Sequence, residues 1–286
     1  MIPRPPYPSA ADAPIGVFDS GAGGLSVLRH IRAQLPQEHL MYFADTGFAP
    51  YGGKSEAMLT GRALAIAAFL LERGAKALVV ACNTATVAAI KALRARYPEL
   101  PIVGVEPGLK PAAALTRNGK VGVIATVATL AGEKFLLLRE QISAASHAEF
   151  LLQGCPGLAD QVERCELDTP ATVAMLERYI GPLLAQDIDT LVLGCTHYPF
   201  VQAAIERLLA ARARGPVTLI DTGDAVARQL ARLLGAADLL RAPGGAPQLQ
   251  GYTNTSAAAL SAQFSSLLDL HPPVDEVPMP DDPQKL

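Results

Sequence analysis

Two stretches of this chain are built alike, and the pair restricts the fold more than any other feature. Lys76-Ala-Leu-Val-Val-Ala-Cys82-Asn83-Thr84-Ala-Thr86 and Asp189-Thr-Leu-Val-Leu-Gly-Cys195-Thr196-His197-Tyr198-Pro199 each carry a short Leu/Val run into a small residue, a cysteine and then small polar side chains. Uninterrupted apolar runs of this length predict strands buried on both faces, the habit of parallel sheets. Each strand would deliver a thiol at its C-terminal tip, the edge at which open α/β sheets bind ligands. A single buried cysteine is by default a packing residue. Two in matched contexts predict a duplicated unit and a paired use of the thiols.

The rest of the chain repeats the same alternation. Ile15–Phe18 reads as a strand leading into the turn Asp19-Ser-Gly-Ala-Gly-Gly24, followed by helical spacing of Leu25, Leu28, Ile31 and Leu35. A strand at 40–44, a helix at 56–73 ending at Gly74, the Cys82 strand, a helix at 86–97 and a strand at 102–105 follow. Val121-Gly-Val-Ile-Ala-Thr126 then opens a second round much as Ile15-Gly-Val-Phe-Asp-Ser20 opens the first, at nearly the spacing that separates the cysteines. Helices at 132–144 and 169–184, a strand at 150–152, the Cys195 strand, a strand at 217–220 and a helix at 224–234 complete it. The fold class expected is α/β: two similar doubly wound parallel-sheet domains related by a pseudo-two-fold axis, with both thiols facing an interdomain cleft. The expected boundaries are 14–115 with 214–270 for the first domain and 116–213 for the second. Residues 1–13 and 271–286, both proline-rich, read as disordered tails.

With 27 acidic against 24 basic residues and a net charge of −3, the chain has no footprint for nucleic acid. Its most apolar helical segment, 63–71, is bounded by Arg62 and Glu72 and falls well short of the roughly 20 residues of a membrane span. No membrane partner is expected. Four cysteines without framework spacing fit a reducing cytoplasm better than a disulfide scaffold. Cys155 and Cys165 read as packing residues.

Gly21 and Gly23 begin a dinucleotide fingerprint, but Ser26 stands where the third glycine belongs; Asp45, at a strand end further on, keeps that reading open. Gly53-Lys54-Ser55 resembles the end of a P-loop, but Gly47 is one place too far upstream and the reading fails. What the Asp19–Gly24 turn offers is a nest of backbone N–H groups suited to a carboxylate. Asp19 is either an N-cap or a carboxylate that handles the proton of Cys82. His197, two residues beyond Cys195, is either a packing histidine or the base for the second thiol. Cys82, Cys195, His197 and Asp19 would suit zinc by residue type, but the close cysteine spacing of structural zinc is absent.

Gly16-Val-Phe-Asp-Ser-Gly-Ala-Gly-Gly-Leu-Ser-Val-Leu28, Tyr42-Phe-Ala-Asp-Thr46, Pro50-Tyr-Gly-Gly-Lys-Ser55, Ala81-Cys-Asn-Thr-Ala85, Gly104-Val-Glu-Pro107, Cys155-Pro-Gly-Leu158 and Gly194-Cys-Thr-His-Tyr-Pro199 together resemble the glutamate racemases, in family order and over about 14–235. The resemblance implies cofactor-independent interconversion of L- and D-glutamate in the cytoplasm, feeding peptidoglycan synthesis, with glutamate as the small-molecule partner and a homodimer as the assembly the family admits. It implies that Cys82 takes the α-proton of D-glutamate and Cys195 that of L-glutamate, assisted by Asp19 and by His197, the latter oriented by Glu163. Asp19, Ser20, Pro50, Tyr51, Gly52, Asn83, Thr84, Thr126, Thr196 and His197 match substrate-holding positions. No metal and no cofactor are expected. Inversion needs one base on each face of the α-carbon, and a thiol, with an ordinary pKa of about 8.5, can serve in either protonation state near neutrality.

Overall fold

The computed structural model describes residues 9–279. The chain divides into two compact units, one reaching up to Val105 and resuming at Gly223, the other spanning Glu106–Thr222. The first unit begins with β1 (Ile15–Asp19), α1 (Leu25–Gln34), β2 (Leu40–Ala44), α2 (Glu56–Glu72), β3 (Ala77–Val80), α3 (Asn83–Arg96) and β4 (Ile102–Gly104). The second contains α4 (Leu109–Leu115), β5 (Lys120–Ala125), α5 (Val127–Ala131), α6 (Glu133–Ala145), β6 (Glu149–Gly154), α7 (Leu158–Glu163), α8 (Pro170–Ala185), β7 (Thr190–Leu193), α9 (Gln202–Arg212) and β8 (Thr218–Ile220). The chain then returns to the first unit with α10 (Gly223–Ala236), β9 (Leu249–Thr253), α11 (Ala257–Leu268) and β10 (Val274–Glu276).

Every strand pair is parallel. The first sheet runs β10-β9-β2-β1-β3-β4 and the second β6-β5-β7-β8. The order β2-β1-β3-β4 is thus repeated as β6-β5-β7-β8, which is the duplication expected from the sequence. The central strands β1, β2, β3 and β7 are buried along their whole length. That explains why they read as unbroken apolar runs.

Local chemistry fixes the element ends. Ser55 caps α2, its side chain accepting from the Met58 N–H, and the chain leaves this helix through Gly74 in the left-handed region at φ +88°. α2 is apolar on most of its circumference and buries nine of its side chains, Arg62 among them. The helix after Cys82 starts at Asn83 rather than Thr86, because Cys82 itself takes the extended N-cap conformation (φ −133°, ψ 122°).

Two further expectations are corrected. The chain returns to the first unit at Gly223, not near 214, because β8 pairs in parallel with β7. The stretch 237–270, placed in the first domain by the sequence but given no elements there, supplies β9 beside β2 and α11, in agreement with that placement. The tail is not loose from 271 onward: β10 extends the first sheet beside β9, and Val277 and Met279 pack on its core. The expectation of disorder for 1–8 and 280–286 lies outside the described residues; Ser9–Ala13 form a turn closed by the Asp12 N–H to Ser9 carbonyl bond.

Candidate active site

In the first unit, β1 and β3 lie side by side with Phe18 opposite Val80, so Asp19 and Cys82 both emerge at the C-terminal edge of the sheet. Asp19 is fully buried. One carboxylate oxygen accepts from the Ser20 N–H at 2.7 Å and the other from the Gly24 N–H at 2.6 Å. The nest expected to receive an external carboxylate therefore holds one from its own chain. Gly24 is required there: a Cβ would sit 2.7 Å from that of Asp19 and 2.9 Å from the Tyr42 hydroxyl. The Cys82 thiol donates to the Ser20 hydroxyl at 3.7 Å, and Ser20 donates to Asp19 at 3.3 Å. The sulfur is thus connected to the carboxylate through one hydroxyl. Burial, reinforced by the Asp19 charge, raises the Cys82 pKa well above the usual thiol range; the Ala85 N–H and the Ser20 hydroxyl act in the opposite sense. Asn83 and Thr84 form the first turn of α3, directly after the sulfur.

Pro50, Tyr51 and Gly52 lie in the loop between β2 and α2, with a cis peptide before Pro50 and a short 3₁₀ turn over Tyr51–Gly53. Tyr51 is buried, and its hydroxyl donates to Asp45 at 2.6 Å. Its side-chain donor is therefore used inside the protein, leaving the backbone of this turn and the exposed Gly52 as the groups facing outward.

In the second unit, β5 and β7 place Ile124 opposite Leu193, and Cys195 follows two residues later, as Cys82 follows Val80. The Cys195 sulfur lies 3.5 Å from His197 Nδ1, and His197 Nε2 lies 2.7 Å from Glu163 Oε1. Glu163 ends the short helix α7, so the carboxylate belongs to a different element from the thiol and imidazole it serves. Burial works against a charged His197, but the charge of Cys195 and the Glu163 carboxylate outweigh it and raise the imidazole pKa well above its usual value. With Nε2–H donated to Glu163, a neutral His197 presents Nδ1 to the thiol as an acceptor. Thr196 is buried beside them. Thr126 follows β5 and caps α5, its side chain accepting from the Thr129 N–H.

β6 runs to Gly154 rather than ending at 152, so Cys155 follows a strand tip directly. It nevertheless behaves as a core group. Its thiol donates to the Gln153 carbonyl at 3.6 Å, it packs in one cluster with Cys195 and Tyr198, and burial pushes its pKa up to about 12. All four cysteines are free thiols. Among the described residues, no group of three or more His, Cys, Asp or Glu side chains is arranged to hold a metal ion, and no helix is long and apolar enough to cross a membrane. Sequence reading considered Asp45 only as a possible dinucleotide residue and missed its buried ion pair with Arg62 beneath Tyr51; an arginine within the otherwise apolar run of α2 was the available signal.

The profile of the Asp/Glu/hydantoin racemases matches residues 15–230. The chain belongs to that family. It is 54% identical over 232 residues to the glutamate racemase of Pseudomonas paraeruginosa, covering 81% of this chain and 85% of that one. It is 52% identical over 248 residues to that of Pseudomonas entomophila, covering 87% and 91%. The fold superposes on the crystal structure of a glutamate racemase isoform from Bacillus anthracis with a TM-score of 0.82 at 33% identity, over 94% of this chain and 98% of that one. In this racemase frame, both sets of groups are made from a thiol and a neighbouring proton acceptor at the C-terminal end of a parallel sheet.

Proposed function

We propose that this racemase interconverts L- and D-glutamate, using Cys82 and Cys195 as the two acid–base groups and no cofactor. The observation that carries the reading is that each thiol has its own route for a proton, Cys82 through Ser20 to Asp19 and Cys195 to His197 backed by Glu163. Glutamate as substrate is supported by the relatives at half identity and by solved neighbours: a Francisella tularensis enzyme in complex with D-glutamate and an Escherichia coli enzyme in complex with L-glutamate.

In the L-to-D direction, Cys195 as thiolate removes the α-proton, the electron pair moves into the substrate carboxylate, and the Cys82 thiol returns a proton to the opposite face. Cys82 then stands as thiolate and Cys195 as thiol. The reverse reaction exchanges the roles. A Cys82 held as a neutral thiol is poised to donate, which suits L-glutamate as the substrate met by the resting enzyme. The N–H groups at the start of α3, on which Cys82, Asn83 and Thr84 sit, provide a partial positive charge where anionic substrate groups would lie. The product D-glutamate would serve peptidoglycan synthesis in the cytoplasm.

The reaction is tested by incubating L-glutamate in deuterated water and sampling early. Two thiols require almost fully deuterated D-glutamate while the remaining L-glutamate keeps its protium. Protium in the early product, or equal exchange into both pools, would sink the two-base mechanism. Circular dichroism with aspartate and a hydantoin in place of glutamate checks the substrate assignment.

A further inference from the structure

The loop that carries Tyr51 and Gly52 is held by a part of the chain that lies far downstream, outside the stretch 15–230 that bears the family signature. Asn254, in the turn between β9 and α11, donates from Nδ2 to Asp45 Oδ1 at 2.9 Å and accepts at its amide oxygen from the Gly47 N–H, also at 2.9 Å. Next to it the Thr46 hydroxyl lies 2.5 Å from that of Thr255 and 3.1 Å from that of Thr253. The two segments meet so closely that a Cβ on Gly47 would come within 2.9 Å of Asn254 Nδ2.

Asp45 is the centre of this clamp. It is fully buried, and besides Asn254 it accepts from the Tyr51 hydroxyl at 2.6 Å and from Arg62 Nε at 2.8 Å. Phe48 fills the space above, with the Arg62 guanidinium 4.9 Å and the Lys54 ammonium 4.6 Å from its ring centre and Tyr51 edge-on at 6.0 Å. A buried carboxylate supplied with donors from three separate segments admits few alternative arrangements, so losing one donor loosens the others.

We propose that Asn254 is a positioning residue for the substrate loop, acting through Asp45 on Tyr51, and that the β9–α11 turn is therefore part of the working site. The inference rests on the glutamate racemase reading proposed above and on the family resemblance, which implies that Tyr51 and Gly52 hold the substrate. Asn254 touches no reacting atom. Its removal should weaken substrate holding more than proton transfer.

The test is the separate measurement of kcat and KM for L- and D-glutamate in Asn254→Ala, Thr255→Val, Gln250→Ala and Cys82→Ala. Asn254→Ala should raise KM for both enantiomers about tenfold with a smaller fall in kcat, and, because it leaves a buried carboxylate short of a donor, should also lower Tm by several degrees. Thr255→Val, which keeps the side-chain volume, should raise KM in the same sense by a smaller factor. Gln250→Ala, in β9 but bonded toward Asp275 rather than the loop, should leave both constants unchanged. Unaltered KM in both Asn254→Ala and Thr255→Val would overturn the inference, as would an equal KM rise in Gln250→Ala. If KM is unaltered while Cys82→Ala is inactive, only the clamp fails; an active Cys82→Ala removes the two-thiol reading itself.

Discussion

The two sheets present their thiols from corresponding strands but surround them differently. Cys82 follows β3 as Cys195 follows β7, each two residues past the position paired with the neighbouring strand. Around Cys82 the carboxylate comes from that neighbour, Asp19 at the end of β1; the equivalent position beside Cys195 is Ala125, which can handle no proton. Around Cys195 the proton acceptor comes from the thiol's own segment, His197, where the first unit has Thr84. Ser20 and Thr126 are likewise equivalent, but only Ser20 reaches its sulfur. The repeated strand order thus places the two sulfurs alike, while the groups proposed to handle their protons come from different positions in the two units. Burial and the Asp19 charge are expected to make Cys82 hold its proton more tightly than an ordinary thiol.

The largest effect should come from removing either sulfur. Cys82→Ala and Cys195→Ala should each lower racemisation by about a thousandfold or more, the upper range for losing a general acid or base, with Tm nearly unchanged. Circular dichroism at fixed glutamate follows the activity. If one variant keeps substantial turnover, the halves are not equivalent in the chemistry and the comparison breaks.

Asp19→Asn and His197→Asn, each expected to cost about a hundredfold, sharpen it. Because the equilibrium constant cannot change, kcat/KM must fall by the same factor in both directions, so the asymmetry appears elsewhere. The α-deuterium isotope effect should rise mainly for D-glutamate in Asp19→Asn and mainly for L-glutamate in His197→Asn. Identical responses would mean that the assistants do not serve separate thiols. Asp19→Asn should also move the alkylation of Cys82 to lower pH, since the carboxylate charge that helps raise its pKa is gone.

A smaller loss, about tenfold, is expected for Glu163→Gln, which keeps the hydrogen bond and removes the charge. His197 should then release its proton at lower pH than in the unaltered protein, seen by imidazole NMR. Its folded pKa is raised, so the stabilisation from this pair is complete below the unfolded value of about 6.5 and fades as pH rises through the folded one. The stability difference between Glu163→Gln and the unaltered protein should accordingly shrink toward alkaline pH.

The smallest effect on turnover belongs to the opposite end of the same strand. Asp189, just before β7, accepts from the Thr116 hydroxyl and from the Arg117 and Asn118 N–H groups at 2.6 to 2.8 Å. Burial works against its charge, but these donors lower its pKa. Asp189→Asn should cost about 1–3 kcal/mol of stability near neutrality with unchanged kcat. That difference should disappear as pH falls through the folded pKa, since the carboxylate's advantage exists only above it.

Much of this was legible in the sequence because the thiol-bearing strands are buried on both faces and so stand out as apolar runs. His197 was legible by its place two residues beyond Cys195, and Asp19 by its place between the β1 strand and the glycine-rich turn. Glu163 emerged only from the family resemblance, since a carboxylate on a six-residue helix gives no periodic signal of its partner. The clamp at Asp45 was not legible, because Asn254 reaches it from 209 residues away and nothing around Asn254 marks the pairing. The return point was misplaced for a similar reason: nothing in Thr218–Ile220 says which of two sheets it joins.

β10 has a consequence for solubility. It closes one edge of the six-stranded sheet with only three residues, two of them the exposed acids Asp275 and Glu276. Short charged edges are poor templates for pairing with another molecule. A chain ending at residue 270 would expose β9 instead, whose Leu249-Gln-Gly-Tyr-Thr253 carries no charge along an unpaired row of backbone donors and acceptors. Such a truncated protein should keep its thiols and their partners yet associate edge to edge as its concentration rises.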